Sequence, residues 1–251
     1  MYNYNIDKSI KELTKKFYKI RKIPFHKSLR KETTGIGYTF ETLIGKKEDT
    51  SYQPDYKGIE IKTKYGCSKN PINLFGIVGK KDNSSNIYEY IVDNYGYFKN
   101  GPIKQKRLSI DIYVNSITRT RNGLLWKLKI DLTKNKIILL IFDCNLNIID
   151  DKIYWNLDDV KDRLLTKLEY MALVKGYPYN RNNELYYKYT SINFYKLKGY
   201  NEFLNLLTNG DIFICMNISF NIIDNTTLLK KRNIEFRLNI DSIDKLFNKI
   251  H

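Results

Sequence analysis

The chain has 251 residues, with 43 lysines and arginines against 27 aspartates and glutamates and a formal net charge of +16. That length buries a substantial core as one large domain or two lobes, while no apolar run approaches the ~18 residues of a membrane span and Met1–Asn5 lacks the apolar segment of a signal peptide. Three scattered cysteines (Cys67, Cys144, Cys215) fit neither a disulfide framework nor paired zinc ligands, and histidine only at His26 and His251 leaves no basis for a Ser-His triad or a His-ligated metal hydrolase.

The basic excess is spread along the chain instead of gathering in a tail. It points to a folded surface or cleft that takes up a polyanion, with double-stranded DNA the first candidate and a membrane surface far behind. The 21 tyrosines suit such a partner, since they contact sugars and bases as well as fill a core. Reduced, packed thiols predict a cytoplasmic protein.

In chain order, Ile6, Ile10, Leu13 and Phe17 fall on one stripe and predict an amphipathic helix over about 5–20. Its other face carries Lys8, Lys11, Lys15, Lys16 and Lys19, a solvated face by default. The loop after it holds Arg21, Lys22, Lys27, Arg30 and Lys31, which either track a DNA backbone or face water. Thr34-Gly35-Ile36-Gly37 then opens a short helix, with Tyr38 and Glu41 on it, that reaches about Ile44. A Gly-rich turn at a helix start can cradle phosphate. With no Gly-Lys-Ser/Thr following, it is not a nucleotide-binding loop, and no ATP-driven motor is expected.

Gly58-Ile59-Glu60-Ile61-Lys62-Thr63 alternates as a half-buried strand, with Ile59 and Ile61 toward a core and Glu60 and Lys62 on the opposite face. Pro54 and Gly58 frame a turn that returns Asp55 beside Glu60. Two carboxylates converging beside an ammonium are costly unless something binds there. A divalent cation with a phosphate offsets that cost, the acids holding the ion and the lysine meeting the phosphate or the attacking water. A solvated strand face with a chance ion pair gives the same spacing, which recurs at Asp55/Lys57, Asp150/Lys152 and Asp159/Lys161. Asp150 reads as a polar turn, and Asp159/Lys161 lie in a predicted helix, where residues two apart do not share a face. Only Glu60/Lys62 joins strand alternation to an upstream aspartate at a turn. These residues point to the centre of a metal-dependent nuclease.

Beyond it, the pattern predicts a strand over 72–78 and a helix over about 86–97. Strands near 107–114, 124–132 and 136–143 follow, read as a meander extending the central sheet. A helix near 156–169, strands near 170–175 and 184–193 and a helix near 199–208 come next. Strands near 211–219 and 234–240 bracket a loop holding Lys230, Lys231 and Arg232, and a closing helix runs over 241–250.

Thr34-Gly35-Ile36-Gly37-Tyr38-Thr39-Phe40-Glu41, Pro54-Asp55, Gly58-Ile59-Glu60-Ile61-Lys62-Thr63 and Asn73-Leu74-Phe75 closely resemble the MvaI/BcnI family of restriction endonucleases. Tyr154-Trp155, Tyr186-Tyr187-Lys188-Tyr189, Gly210-Asp211-Ile212 and Phe236-Arg237-Leu238-Asn239 continue the resemblance in the same order, and look like its MvaI branch. That family belongs to the MutH-like branch of the PD-(D/E)xK superfamily. The resemblance implies an α/β (α+β) fold with a mixed central sheet flanked by helices. It implies a catalytic lobe over 1–150 and a DNA-recognition lobe over 151–251 forming a DNA-binding cleft.

By the same resemblance, Asp55 and Glu60 bind Mg²⁺ with the Ile61 carbonyl, Mn²⁺ substituting and Ca²⁺ supporting binding only. Lys62 orients or helps deprotonate the attacking water, and Glu41 approaches as an auxiliary acid. Arg30, Lys31, Thr34 and Tyr38 are its DNA contacts near the catalytic block. The family's last loop and strands enter the major groove, and Arg237 aligns with a base-contacting arginine. Two departures stand out: Lys230-Lys231-Arg232-Asn233 replaces a His-Asp-His-Gly signature, and Asn217 replaces an arginine. Arginine favours guanine and asparagine adenine, so a different recognition sequence, richer in A·T pairs, is expected. The implied enzyme is a prokaryotic type II restriction endonuclease, a monomer nicking the strands in turn and leaving 5′-phosphate and 3′-hydroxyl ends. A cognate DNA methyltransferase is its genetic partner, not a subunit. The alternatives are a MutH-like nicking enzyme activated by a partner and a catalytically silent DNA-binding protein.

Overall fold

The computed structural model of the chain describes residues 4–31, 34–47, 52–82, 86–99, 101–223 and 226–250. Met1–Asn3 of the leader reading and His251 lie outside the described residues. In chain order the elements are α1 (Ile6–Lys22), β1 (His26–Lys27), α2 (Gly35–Leu43), β2 (Glu60–Tyr65), β3 (Ile72–Gly76), α3 (Ile87–Tyr95), β4 (Tyr97–Lys99) and β5 (Lys104–Ile112). Next come β6 (Thr118–Arg119), β7 (Leu125–Asp131), β8 (Lys136–Phe142), β9 (Ile148–Asn156), α4 (Leu157–Leu168), β10 (Tyr170–Arg181) and β11 (Glu184–Leu197). The last are α5 (Tyr200–Asn209), β12 (Ile212–Ile223), β13 (Thr226–Leu238), α6 (Ile243–Leu246) and β14 (Phe247–Lys249).

The chain folds as two units. The first takes Met1–Asn70, Leu164–Gly199 and Ile243–His251, the second Pro71–Arg163 and Tyr200–Ser242. The division does not fall at residue 150, because the sheet holding β2 is completed by strands from the second half of the chain.

In the first unit the strands run β1-β11-β10-β2, with β14 also on β11. β2 and β10 pair in parallel and the rest antiparallel. Ile10, Leu13, Phe17 and Ile20 form the buried stripe of α1 and pack with Ile36, Phe40, Ile59 and Ile61 into one core. Each such side chain taken from water contributes roughly 1.5–3 kcal/mol, which fastens both helices to the sheet. Asn5 caps α1 by accepting the Lys8 N–H at 3.0 Å.

The second unit holds an antiparallel sheet ordered β3-β13-β12-β5-β4 and a separate four-stranded one, β6-β7-β8-β9. The predicted meander therefore does not extend the sheet of β2: β7 and β8 pair with each other and with β9, while β5 joins β12. The pattern around Asp150 is also not a turn. Asp150 is buried in β9, where Oδ2 accepts the Tyr90 and Tyr95 hydroxyls at 2.6 and 2.5 Å and Oδ1 the Lys152 N–H at 2.9 Å. The closing helix shrinks to the single turn of α6, after which β14 adds to β11. No helix among the described residues is long and apolar enough to cross a membrane.

Candidate active site

Among the described residues β2 is an end strand, laddered to β10 alone, so its outer edge is open to other groups. Lys57 and Gly58, with φ of 44° and 85°, make a two-residue turn. Tyr56 and Ile59 close it by exchanging N–H···O bonds of 2.9 and 2.8 Å. Positive φ at both central residues suits the right-handed twist of a hairpin, and glycine adopts it at no steric cost. The turn lays Asp55 along the edge of β2, where Oδ2 accepts the Ile61 N–H at 3.0 Å. A strand residue's N–H and C=O leave on the same side, so the Ile61 carbonyl opens toward that same edge.

Ile59 and Ile61 point into the core as their alternation predicts. Glu60 does not face water, however: it is only 2% exposed. Its β10 neighbour Met171, and Leu173 beside Lys62, are buried too, because a parallel strand pair is covered on both faces. Lys62 Nζ donates to Glu60 Oε1 at 2.8 Å. Lys167, from the last turn of α4, brings Nζ within 3.0 Å of Glu60 Oε2, an ion-pair distance without hydrogen-bond geometry. Lys46 Nζ lies 3.2 Å from Asp55 Oδ1.

Glu41 reaches this group from α2. A Cβ on Gly37 would come within 3.0 Å of Thr63 Oγ1, so glycine there lets α2 sit close against β2. Burial, then the charges of Asp55 and Glu60, push the Glu41 carboxyl up to about 7. Burial also raises Glu60, against the pull of Lys62 and Lys167. The three acids thus share one electrostatic environment in the first unit.

Among the described residues no three His, Cys, Asp or Glu side chains gather as a metal-ligand cluster. Mg²⁺ needs no such cage, being commonly held by one or two carboxylates with water and substrate phosphate completing its shell. Asp55, Glu60 and the Ile61 carbonyl are a donor set of that kind. Glu60 Oε2, buried with no hydrogen-bond donor, is an acceptor that fits a cation.

The model of the MvaI/BcnI restriction endonuclease family matches residues 14–247. The chain belongs to this family. It is similar to restriction endonuclease MvaI solved with its cognate DNA substrate, at 26% identity over 96% of this chain and 97% of that one, with a TM-score of 0.85. It is also similar to MvaI in the absence of DNA, at 26% identity over 96% of each chain and a TM-score of 0.59. No curated protein matches it. As a family member it is a site-specific DNA nuclease with the mixed α+β restriction-endonuclease architecture.

The remaining candidates divide between the units. Near α2, the Arg30 guanidinium lies 4.0 Å from the Tyr38 ring centroid, and Lys31 and Thr34 are exposed. Gly35 is packed tightly: a Cβ there would meet Tyr187 Oη at 2.5 Å and the Arg30 carbonyl at 2.6 Å, so its role is close packing. In the second unit, Asn217 pairs with Asn233, Ser219 with Lys231 and Phe213 with Arg237. Alternation therefore puts Asn217, Lys231 and Arg237 on one face. Lys230, Lys231 and Arg232 lie inside β13 and not in a loop, since ladder pairing with β12 holds them extended. Lys230 is the extra residue of the bulge opposite Ser219/Phe220, and Arg232 turns to the other face.

Lys46 and Lys167 escape sequence reasoning. Lys46 follows the end of α2 as one more basic residue in a basic chain. Lys167 sits on a helix remote in sequence from Glu60, and only the fold brings it there.

Proposed function

We propose that the chain is a type II restriction endonuclease that hydrolyses duplex DNA in an Mg²⁺-dependent reaction, leaving 5′-phosphate and 3′-hydroxyl ends. The observation carrying this reading is the 2.8 Å contact of Lys62 with the buried Glu60, on a strand edge that Asp55 shares. Asp55, Glu60 and the Ile61 carbonyl would hold the ion, with Mn²⁺ as a working substitute and Ca²⁺ supporting binding alone. When bound, the ion supplies positive charge to the pentacovalent phosphate and the leaving oxygen. Lys62, held against Glu60, orients the attacking water and helps remove its proton. Lys46 and Lys167 balance the charge of the acids, and Glu41, whose carboxyl titrates near neutrality, serves as the auxiliary acid.

The first unit is the catalytic one in this reading, with Arg30, Lys31, Thr34 and Tyr38 on the DNA backbone. The second unit recognises sequence, through Asn217, Lys230, Lys231, Arg232 and Arg237. The enzyme acts as a monomer in a prokaryotic cytoplasm, nicks the strands in turn, and is paired genetically with a DNA methyltransferase.

Incubating the purified chain with a plasmid of known sequence and Mg²⁺, then sequencing the ends, tests this reading. Discrete linear fragments with 5′-phosphates are expected. Inertness until a partner protein is added would point to a repair-type nicking enzyme. Tight binding without cutting in any divalent metal would mean a silent DNA-binding protein. A dimer on one DNA with both centres engaged would overturn the monomer.

A further inference from the structure

Asp55 and Glu60 have four carboxylate oxygens between them, and each already meets a group of the chain. Asp55 Oδ2 accepts the Ile61 N–H at 3.0 Å, and its Oδ1 lies 3.2 Å from Lys46 Nζ. Glu60 Oε1 accepts from Lys62 Nζ at 2.8 Å, and its Oε2 lies 3.0 Å from Lys167 Nζ. The three lysine side chains are at most 18% exposed, so solvent and salt screen these charges poorly.

Among the described residues, charge closes in this group without an added ion. Even with Glu41, Asp55 and Glu60 all ionised, the ammonium groups of Lys46, Lys62 and Lys167 balance them, and a proton on any acid leaves positive charge in excess. A divalent cation entering alone would meet that balance with two further positive charges, at distances where like charges repel strongly. A DNA phosphodiester brings one negative charge, and withdrawal of one ammonium removes one positive charge. The two together restore the balance.

Lys167 is the ammonium best placed to leave. Lys62 is hydrogen-bonded to Glu60 from the same strand. Lys167 has the distance of an ion pair without hydrogen-bond geometry, and it leaves Glu60 Oε2 a buried acceptor with no donor. A lysine that served only to fix Glu60 would donate to it, as Lys62 does. The flexible stem of Lys167 springs from the last turn of α4, where the carbonyl end of the helix attracts a withdrawn ammonium.

We infer that Lys167 is a displaceable counter-ion: it stands at Glu60 Oε2 in the DNA-free chain and withdraws when a divalent cation and a DNA phosphate arrive together. Ion binding is thereby made to depend on DNA, and DNA binding gains from the ion by the same factor. The inference rests on the nuclease reading above and adds to it a control on loading of the centre.

The test titrates Ca²⁺ into the full chain by calorimetry, without DNA and with a duplex carrying the site that digestion defines. Wild type should bind the ion weakly alone and roughly tenfold or more tightly with the duplex. Lys167→Met keeps the bulk of the stem and removes its charge. Without DNA it should bind Ca²⁺ roughly tenfold or more tightly than wild type, and it should gain correspondingly less from the duplex. Lys167→Arg keeps the charge and should stay near wild type. Lys80→Met removes a charge from an exposed pair with Asp159 and should change nothing. If thermal melting shows Lys167→Met unfolded, Lys167→Gln, whose uncharged amide can still donate to Glu60, carries the comparison. A DNA-free affinity of the Lys167 variant at the wild-type level, or one that Lys167→Arg or Lys80→Met matches, overturns the inference and makes Lys167 a fixed structural partner. Ca²⁺ binding that is absent even with the duplex, or that Glu60→Gln leaves unchanged, overturns the metal reading itself.

Discussion

One local pattern recurs in the two units: Glu60 and Lys62 on β2, Glu235 and Arg237 on β13 and also Asp150 and Lys152 on β9 are an acid two residues before a cation on a strand. The first two of these pairs make the comparison. Only the surroundings differ. The Glu60 side chain is 3% exposed, Lys62 and Lys167 meet its two oxygens separately, and Asp55 and Glu41 crowd it with like charge. Glu235 is more open at 15%, and a single guanidinium takes its Oε2 twice. Burial and the like charge of Asp55 oppose ionisation of the first acid even with two ammonium groups beside it. The second acid, through its doubly used Oε2, fixes the direction of an arginine. In the proposed reading, one motif serves chemistry in the first unit and readout in the second.

The largest effect should come from the buried member. Glu60→Ala or Lys62→Ala should cut cleavage on the order of a thousandfold or more while specific binding in Ca²⁺ persists. Gel-shift and cleavage assays on one duplex check both halves, and retained cutting would dissolve the contrast. Arg237→Ala should instead cost roughly 1–3 kcal/mol of discrimination at a single base pair. A loss spread evenly over all sequences would move that arginine to the phosphates.

Two pH experiments sharpen the contrast between crowded and satisfied acids. Glu41 is raised from 4.5 to about 7, so between those values the folded chain holds a proton the unfolded chain has released. Stability should therefore fall as pH rises through that window, on the order of 2 kcal/mol or less, and Glu41→Gln should flatten the fall. Denaturant unfolding in a chelator from acid to neutral pH measures it, and a wild-type curve no steeper than the variant's would contradict the crowding. Asp150 behaves with the opposite sign. Burial pushes its carboxyl up, but hydrogen bonds from Tyr90, Tyr95 and the Lys152 N–H outweigh that and hold it below the usual carboxylate range. Its contribution should be fully present above the ordinary aspartate value and disappear only in acid. Tyr95→Phe should destabilise the chain by about 1–2 kcal/mol near neutral pH, with a smaller difference in strong acid.

Much of the candidate site is legible in residue order because its signals are local. A 3.6-residue stripe marks α1, and period-two alternation marks β2. The Lys57-Gly58 turn brings Asp55 back from only a few residues away. Misreadings begin where partners are distant. Asp150-Asp151-Lys152 looks like a turn until two tyrosines from α3 satisfy the aspartate within a strand. Lys230-Lys231-Arg232 looks like a loop until β12 pairs with it, and the C-terminal stretch looks helical until β11 offers an edge.

By itself, then, the order of residues determined which side chains alternate, which stripe is apolar and which acid can return to which strand, all matters settled within a turn or two of backbone. Tertiary structure alone decided that Glu60 is buried, that Lys46 and Lys167 meet the acids, and that β5, β12 and β13 lie side by side. Those outcomes depend on ladder pairing and helix packing between segments far apart along the chain, whose closing entropy and covering contacts leave no periodic trace in the segments themselves.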